Sequence, residues 1–78
     1  MKKSFYEDNL LVNLKAYTKK SYREIALELG KSEKQVAKWS HGRHINTELL
    51  EYAAIMLEPQ MLGEMIAGHF EYYRDIKL

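Results

Sequence analysis

The residues of this chain that are best placed to do chemistry lie on one side of a short predicted helix, EKQVAKW, at positions 33–39. Val36 and Trp39 are three residues apart, which places both on the inner face of that helix. The other side and the exposed first turn then carry a carboxylate, two amines, a small side chain and an imidazole: Glu33, Lys34, Ala37, Lys38 and His41. Lysine binds a phosphate or the edge of a guanine, and glutamate accepts a hydrogen bond from the amino group of cytosine. This pattern suits nucleic-acid recognition. Alternatively, the lysines could simply lie on a solvated helix face, and Glu33 could interact with the positive end of the helix dipole.

Side chains for other kinds of chemistry are sparse. The chain has no cysteine, so it has neither a disulfide framework nor a thiolate metal site, which suits a reducing cytoplasm. His41 and His44 could form one edge of a metal site, but without a cysteine or a clear carboxylate partner we interpret them as a phosphate-facing pair in a loop. The sequence shows no nucleophile beside a base, glycine-rich phosphate loop or paired carboxylates. We therefore predict a non-enzyme without cofactor, metal or evident small-molecule ligand.

Two capped helices joined at a glycine position these side chains. The stretch 21–39, SYREIALELGKSEKQVAKW, contains two capping boxes, SYRE and SEKQ, in which a serine hydroxyl and a Glu or Gln side chain bind first-turn amides reciprocally. Ile25 and Leu29 lie on an apolar stripe, and Gly30 supplies the left-handed residue that ends the first helix. Ala26 is small enough for the two helices to approach closely. This pattern predicts a helix-turn-helix.

Three further helices are predicted around this pair. The first begins at a capping box formed by Ser4 and Glu7 and runs to about Tyr17, and one of its faces carries Leu10, Leu11, Leu14 and Tyr17. After a loop that turns at Gly42, the fourth helix spans roughly 47–57 with a cap at Asn46 or Thr47. Its inner face is expected to bury Leu50, Ala53, Ala54 and Leu57. The apolar surface is widened by Leu49, Tyr52, Ile55 and Met56. Glu58-Pro59 breaks it, and a fifth helix runs from about Gln60 to Tyr73.

Charge is distributed unevenly along the 78-residue chain, whose formal net charge is only +1. Residues 1–44 carry ten lysines and arginines against five acids, a net +5, and residues 45–78 carry two against six, a net −4. The basic half holds the capped helix pair, as expected for phosphate binding, although chance could produce this asymmetry in so short a chain. The length fits a single domain, 1–78. No segment approaches the ~18 apolar residues of a membrane span, and no export signal is evident.

The spacing of Ala26, Gly30, Val36 and Trp39 resembles that of lambda-repressor/Cro-like (XRE-type) helix-turn-helix domains. The loop with Gly42 and Arg43 and the apolar fourth helix continue the resemblance, which covers Ser21 to Leu57 well and the first helix loosely. Residues 59–78 have no equivalent in it, and sigma factors and phage terminase small subunits share much of the Ala-Gly-Val core. The resemblance implies an all-α, compact five-helix bundle whose second motif helix enters the major groove of double-stranded DNA.

On this resemblance the base-reading positions are Glu33, Lys34, Ala37, Lys38 and His41. The expected phosphate contacts lie at the start of the first motif helix, in the turn and in the following loop: Lys19, Lys20, Ser21, Tyr22, Arg23, Lys31, Arg43, His44 and Asn46. Two positions depart from the family. Tyr22 replaces a phosphate-binding glutamine, so its ring could simply pack, and Lys31 replaces an apolar turn residue.

The fifth helix carries a broad apolar stripe that a five-helix domain would hardly bury completely. We therefore predict that 60–78 is a dimerisation helix and that the chain forms a homodimer with two reading helices about one DNA turn apart. The expected interface residues are Met65, Ile66, His69, Phe70 and Tyr73. The alternative is that this helix only closes the core over Leu10, Leu14 and Trp39.

These features predict a cytoplasmic, nucleoid-associated transcriptional regulator of bacterial or phage origin. It would bind a near-palindromic operator and regulate by occupancy, most simply as a repressor, with no membrane partner. The alternative is a non-catalytic interaction protein, such as an antitoxin, an anti-repressor or a phage packaging adaptor, that uses the helix-turn-helix as a protein-binding scaffold. The low net charge and the acidic second half favour this alternative.

Overall fold

A computed structural model describes residues 8–75 and shows five helices connected by short loops. They are α1 (Leu10–Thr18), α2 (Tyr22–Leu29), α3 (Glu33–Lys38), α4 (Thr47–Met56) and α5 (Pro59–Asp75). Residues 8–75 contain no strand, so the predicted all-α class is confirmed, and the Cα radius of gyration is 12.0 Å. Within this range no helix is both long and apolar enough to cross a membrane.

Both predicted capping boxes in the middle of the chain are present. Ser21 Oγ accepts a hydrogen bond from Glu24 N–H at 3.1 Å, and the Glu24 carboxylate accepts one from Ser21 N–H at 2.8 Å. Ser32 and Gln35 make the equivalent pair at 3.1 and 3.2 Å. Gly30 ends α2 with φ of 70°, the left-handed conformation that glycine adopts without a Cβ penalty. These local signals fix the ends of α2 and α3.

Helix α1 begins later than predicted. Asp8 and Asn9 are not helical, and the Asn9 side chain caps the helix by accepting a hydrogen bond from Leu11 N–H at 2.8 Å. A helix continuous from Ser4 is therefore wrong, and the proposed Ser4–Glu7 capping box lies outside the described residues. Leu10, Leu11 and Leu14 are fully buried as predicted, but Tyr17 is 49% exposed.

The core contains side chains from every helix: Leu10, Leu11, Leu14, Ile25, Ala26, Val36, Leu49, Tyr52, Ala53, Leu57 and Met65. Helix α2 packs on α3, and α5 packs on both α1 and α4. Trp39 is partly buried and lies against this core. The packing thus leaves the side of α3 opposite Val36 at the surface.

The buried face of α4 differs from the predicted one. The helix buries Leu49, Tyr52 and Ala53, whereas Ala54 is exposed and Ile55 is 83% exposed. Leu50 is half-buried. Apolar residues occur on both sides of this helix, so hydrophobic periodicity could not select one. The Tyr52 hydroxyl also donates a hydrogen bond to the Glu28 carboxylate on α2 at 2.5 Å.

Helix α5 also buries residues that were predicted to contact a partner. Met65, His69 and Tyr73 are 0%, 1% and 6% exposed within this single chain. They are therefore not accessible to a partner: His69 and Tyr73 contact the start of α1, His69 also contacts the loop before α4, and Met65 lies in the core, as the core-closing alternative expects. Ile66 is half-buried and Phe70 is 45% exposed, so both remain accessible at the surface.

Candidate nucleic-acid interface

The outer side of α3 presents charged side chains to solvent. Glu33, Lys34 and Lys38 are exposed, Ala37 is half-buried, and Val36 on the inner side is completely buried. Neither lysine amine is in an ion pair with another residue of the range 8–75. The six-residue length of α3 corresponds to about 9 Å of helix, so both charges lie close together on a short element.

Beyond Lys38 the chain continues in tight turns rather than as α-helix. Trp39 N–H donates to Val36 O, Ser40 N–H to Ala37 O and His41 N–H to Lys38 O, at 3.0, 3.1 and 3.2 Å. The predicted reading helix through His41 is therefore too long. Side chains three residues apart line up in such turns, so the exposed His41 still follows Lys38 along one edge. Gly42 then reverses the chain with φ of 92°, as its position predicted.

The start of α2 is less open to an anion than its sequence suggested. The Glu24 carboxylate already binds the Ser21 amide, and the Lys20 amine is paired with Glu28. The Tyr22 ring packs against the core, with the Lys15 amine 5.4 Å from its centroid. Lys19 and Arg23 are exposed, and Lys19 ends α1 in the left-handed conformation with φ of 58°. We therefore regard these two residues as the basic side chains still accessible to a phosphate at this end.

Acidic groups hold two of the predicted phosphate ligands. Tyr52 and Lys20 both bind the Glu28 carboxylate; the Lys20 amine, and after it the Tyr52 hydroxyl, lower the pKa of Glu28. Burial, together with that carboxylate, raises the pKa of Tyr52 above its usual value of 10.0. Lys31 Nζ lies 2.9 Å from Glu48 Oε1 and so joins the α2–α3 turn to α4. Each carboxylate neutralises part of the positive charge that these amines would otherwise offer to a phosphate.

The loop between α3 and α4 carries exposed Arg43 and His44 close after His41 in the chain. Asn46, which was predicted to bind phosphate, also caps α4 by accepting a hydrogen bond from Glu48 N–H at 2.8 Å. That bond confirms the predicted cap and uses only the amide oxygen, so a phosphate contact through the Nδ2 donors of Asn46 stays a prediction. Arg43 and His44 are the exposed phosphate candidates in this loop.

A buried polar cluster of Asn9, His69 and Tyr73 connects the loop between α3 and α4 to the core. Asn9 Nδ2 donates hydrogen bonds to the Tyr73 hydroxyl at 2.9 Å and to Gly42 O at 3.3 Å. His69 Nε2 lies 2.6 Å from Arg43 O. The cluster thus connects the start of α1, the end of α5 and two consecutive loop carbonyls. Sequence reasoning missed it, although an asparagine directly before an apolar run is a recognisable cap signal.

The hydrogen bonds of His69 determine its tautomer. Its Nδ1 accepts from Leu10 N–H at 2.9 Å, so the ring proton lies on Nε2 and is donated to Arg43 O. Burial lowers the pKa of His69 below its usual 6.5, and the bond to Arg43 O opposes this shift in part. The neutral imidazole therefore serves as a second cap for α1. Phe70 and Tyr73 pack against the ring, with centroid distances of 4.9 and 5.0 Å.

Among residues 8–75 no group of three or more His, Cys, Asp or Glu side chains converges to hold a metal ion. No family model matches the chain, and no match was found among curated proteins or solved structures. A functional assignment accordingly depends on the charges, exposure and packing described above.

Proposed function

We propose that this protein is a sequence-specific double-stranded DNA-binding regulator whose α2 and α3 act as a helix-turn-helix of the lambda-repressor/Cro-like kind. The observation that carries the proposal is the two-sided character of α3. Its inner side is anchored by the fully buried Val36, and its outer side presents Lys34 and Lys38 to solvent. A short helix with a rigid inner side and cationic outer side suits entry into the major groove.

Lys34 and Lys38 would then contact guanine edges or groove phosphates, with Glu33 at the leading end and His41 at the trailing end. Ala37 lies between the lysines and is small enough to let the helix approach the bases. Phosphate contacts would come from both flanks of α3, through Lys19 and Arg23 on one side and Arg43 and His44 on the other. Regulation would follow from occupancy of the operator, most simply as repression.

Self-association would use a smaller surface than the sequence predicted. On α5 the accessible residues Gly63, Ile66, Ala67 and Phe70 recur at helical spacing, and a Cβ placed on Gly63 would meet nothing within 4 Å. Small residues there would let a second α5 approach closely while Phe70 supplies the contact area. A homodimer of this kind would present two copies of α3 to a near-palindromic site.

A second candidate function is a non-catalytic interaction protein, favoured by two large aliphatic side chains at the surface. Leu27 on α2 is 75% exposed and Ile55 on α4 is 83% exposed. Exposed aliphatic side chains of this size are common at protein-binding surfaces when they join into a patch. In this function the protein partner, rather than DNA, would protect these two residues.

Fluorescence anisotropy with a labelled duplex of selected sequence distinguishes the two functions. Lys34→Ala or Lys38→Ala should weaken binding by about 1–3 kcal/mol if each lysine reads a base pair, and Lys34→Ala should relax the preference at one position. Arg43→Ala should weaken all sequences alike. Unchanged affinity after removal of both lysines would show that α3 does not read the groove. Leu27→Ser is the matched control, since it changes an exposed residue outside the proposed DNA surface.

A further inference from the structure

We infer that Asn9, His69 and Tyr73 are positioning residues for DNA binding, which hold the loop of residues 42–44 so that Arg43 and His44 meet the phosphate backbone. This inference rests on the proposed function. It assigns to α5 and to the start of α1 a role in DNA recognition without direct contact with DNA. In this role the three residues act through two loop carbonyls, Gly42 O and Arg43 O.

The loop needs such support because burial does not fix it. Gly42, Arg43 and His44 are all exposed, and Gly42, which has no Cβ, could adopt many backbone conformations besides the φ of 92° that it has here. The hydrogen bonds from Asn9 and His69 tie consecutive carbonyls of this segment to the core. Donors on buried, closely packed side chains hold such a segment more firmly than solvent-exposed ones, because breaking the bond would leave a buried polar group unsatisfied.

The cluster does more than cap α1. Capping requires only Asn9 Oδ1 for Leu11 N–H and His69 Nδ1 for Leu10 N–H. The opposite end of each side chain is a donor, Nδ2 or Nε2, and each of these reaches the loop. Tyr73 accepts from Asn9 Nδ2 and thereby orients the amide. Asn9 and His69 therefore each join an acceptor that caps α1 to a donor that binds the loop, and Tyr73 acts through Asn9.

Holding the loop in advance would favour phosphate binding because less conformational freedom is lost on binding. Release of the carbonyls should leave Arg43 and His44 chemically intact but poorly placed. The expected signature is a loss of affinity that depends on the presence of those two side chains. General destabilisation of the domain would not have that dependence.

The test measures anisotropy of a mixed-sequence duplex of about 20 base pairs, at salt concentrations from about 50 to about 200 mM. Tyr73→Phe removes only the hydroxyl, and Tyr72→Phe on the neighbouring ring is the matched control. His69→Leu removes both ring hydrogen bonds, whereas His69→Gln retains an acceptor oxygen and a donor N–H. Each variant is also made in an Arg43→Ala/His44→Ala background, and thermal unfolding confirms that all of them are folded.

Tyr73→Phe and His69→Leu should weaken binding by up to about tenfold. The slope of the logarithm of the binding constant against the logarithm of the salt concentration should become shallower by about 0.9 for each phosphate that is no longer neutralised. His69→Gln should recover most of the affinity, and Tyr72→Phe should have no effect. In the Arg43→Ala/His44→Ala background the same changes should cause no further weakening.

Equal weakening in both backgrounds, or full affinity for Tyr73→Phe and His69→Leu, would overturn the inference while leaving DNA binding intact. A wild-type protein without salt-dependent binding would overturn the proposed function and, with it, this inference.

Discussion

Acidification should destabilise the fold through His69 at a pH where carboxylates are still ionised. The folded protein needs the neutral ring, because Nδ1 accepts from Leu10 N–H and a proton there would face another donor at the positive end of α1. The pKa of His69 is lowered from 6.5 by burial. The unfolded chain therefore takes up this proton first as the pH falls.

The size of the effect follows from this difference in proton uptake. The His69 contribution to stability is fully present above pH 6.5, declines as the pH falls towards the folded-state pKa, and declines no further below that value. Within that window the free energy of unfolding should fall by up to about 1.4 kcal/mol for each pH unit. A small domain has only about 5–15 kcal/mol in total, so the decrease is easily measured. The paired carboxylate of Glu28 titrates lower, below 4.5.

Urea unfolding followed by circular dichroism, at intervals from about pH 7.5 to about pH 5, measures this decrease directly. His69→Gln is the control, because its amide offers an acceptor and a donor but does not titrate. Its stability should therefore change much less with pH than that of the wild type. Parallel pH profiles for wild type and His69→Gln would refute the conclusion that the fold holds His69 neutral.

Four further substitutions test the packing and the surfaces. Met65→Glu should destabilise the protein by about 3 kcal/mol or more and abolish the fold, because it places an unpaired charge in the core; a well-folded variant would contradict the burial of Met65. Phe70→Glu should remain helical, and sedimentation should show it to be monomeric where the wild type is dimeric. Ala26→Leu should lower the free energy of unfolding by about 1–3 kcal/mol, since Ala26 is buried in the core and a larger side chain there would overpack it. Lys19→Gly should raise the free energy of unfolding by about 1 kcal/mol, because glycine adopts the left-handed conformation of this position without strain; a lower melting temperature would contradict this expectation. The same variant should show a weaker salt dependence of DNA binding if Lys19 contacts a phosphate.

The parts of the fold that could be predicted from sequence are those determined locally. Ser21, Gly30 and Ser32 each control hydrogen bonds within three or four residues, so they set the ends of α2 and α3 regardless of the rest of the chain. Glu58-Pro59 likewise separates α4 from α5. The exposed side of α3 followed from the burial of Val36, which leaves one orientation for a six-residue helix.

The parts that failed depend on distant contacts. Helix α4 has apolar residues on both sides, and Tyr52 was drawn inward by packing and by a bond to Glu28, 24 positions earlier. His69 bonds to Leu10 across 59 positions, so its sequence neighbours gave no sign that it caps α1. For the same reason α5 seemed to have apolar surface to spare, when its inner residues close the core. The ion pairs of Lys20 with Glu28 and of Lys31 with Glu48 could not be foreseen either, because these partners are not adjacent to them in sequence.

The central claim is that α3 and the loop after it form a DNA-binding surface, and amide chemical-shift mapping tests it most directly. Uniformly ¹⁵N-labelled protein is titrated with a duplex recovered from a random-sequence pool. We predict the largest shifts at residues 33–44, together with Lys19 and Arg23, and small shifts at Leu27 and Ile55. Shifts centred on Leu27 or Ile55, or no shifts with any recovered duplex, would contradict this claim.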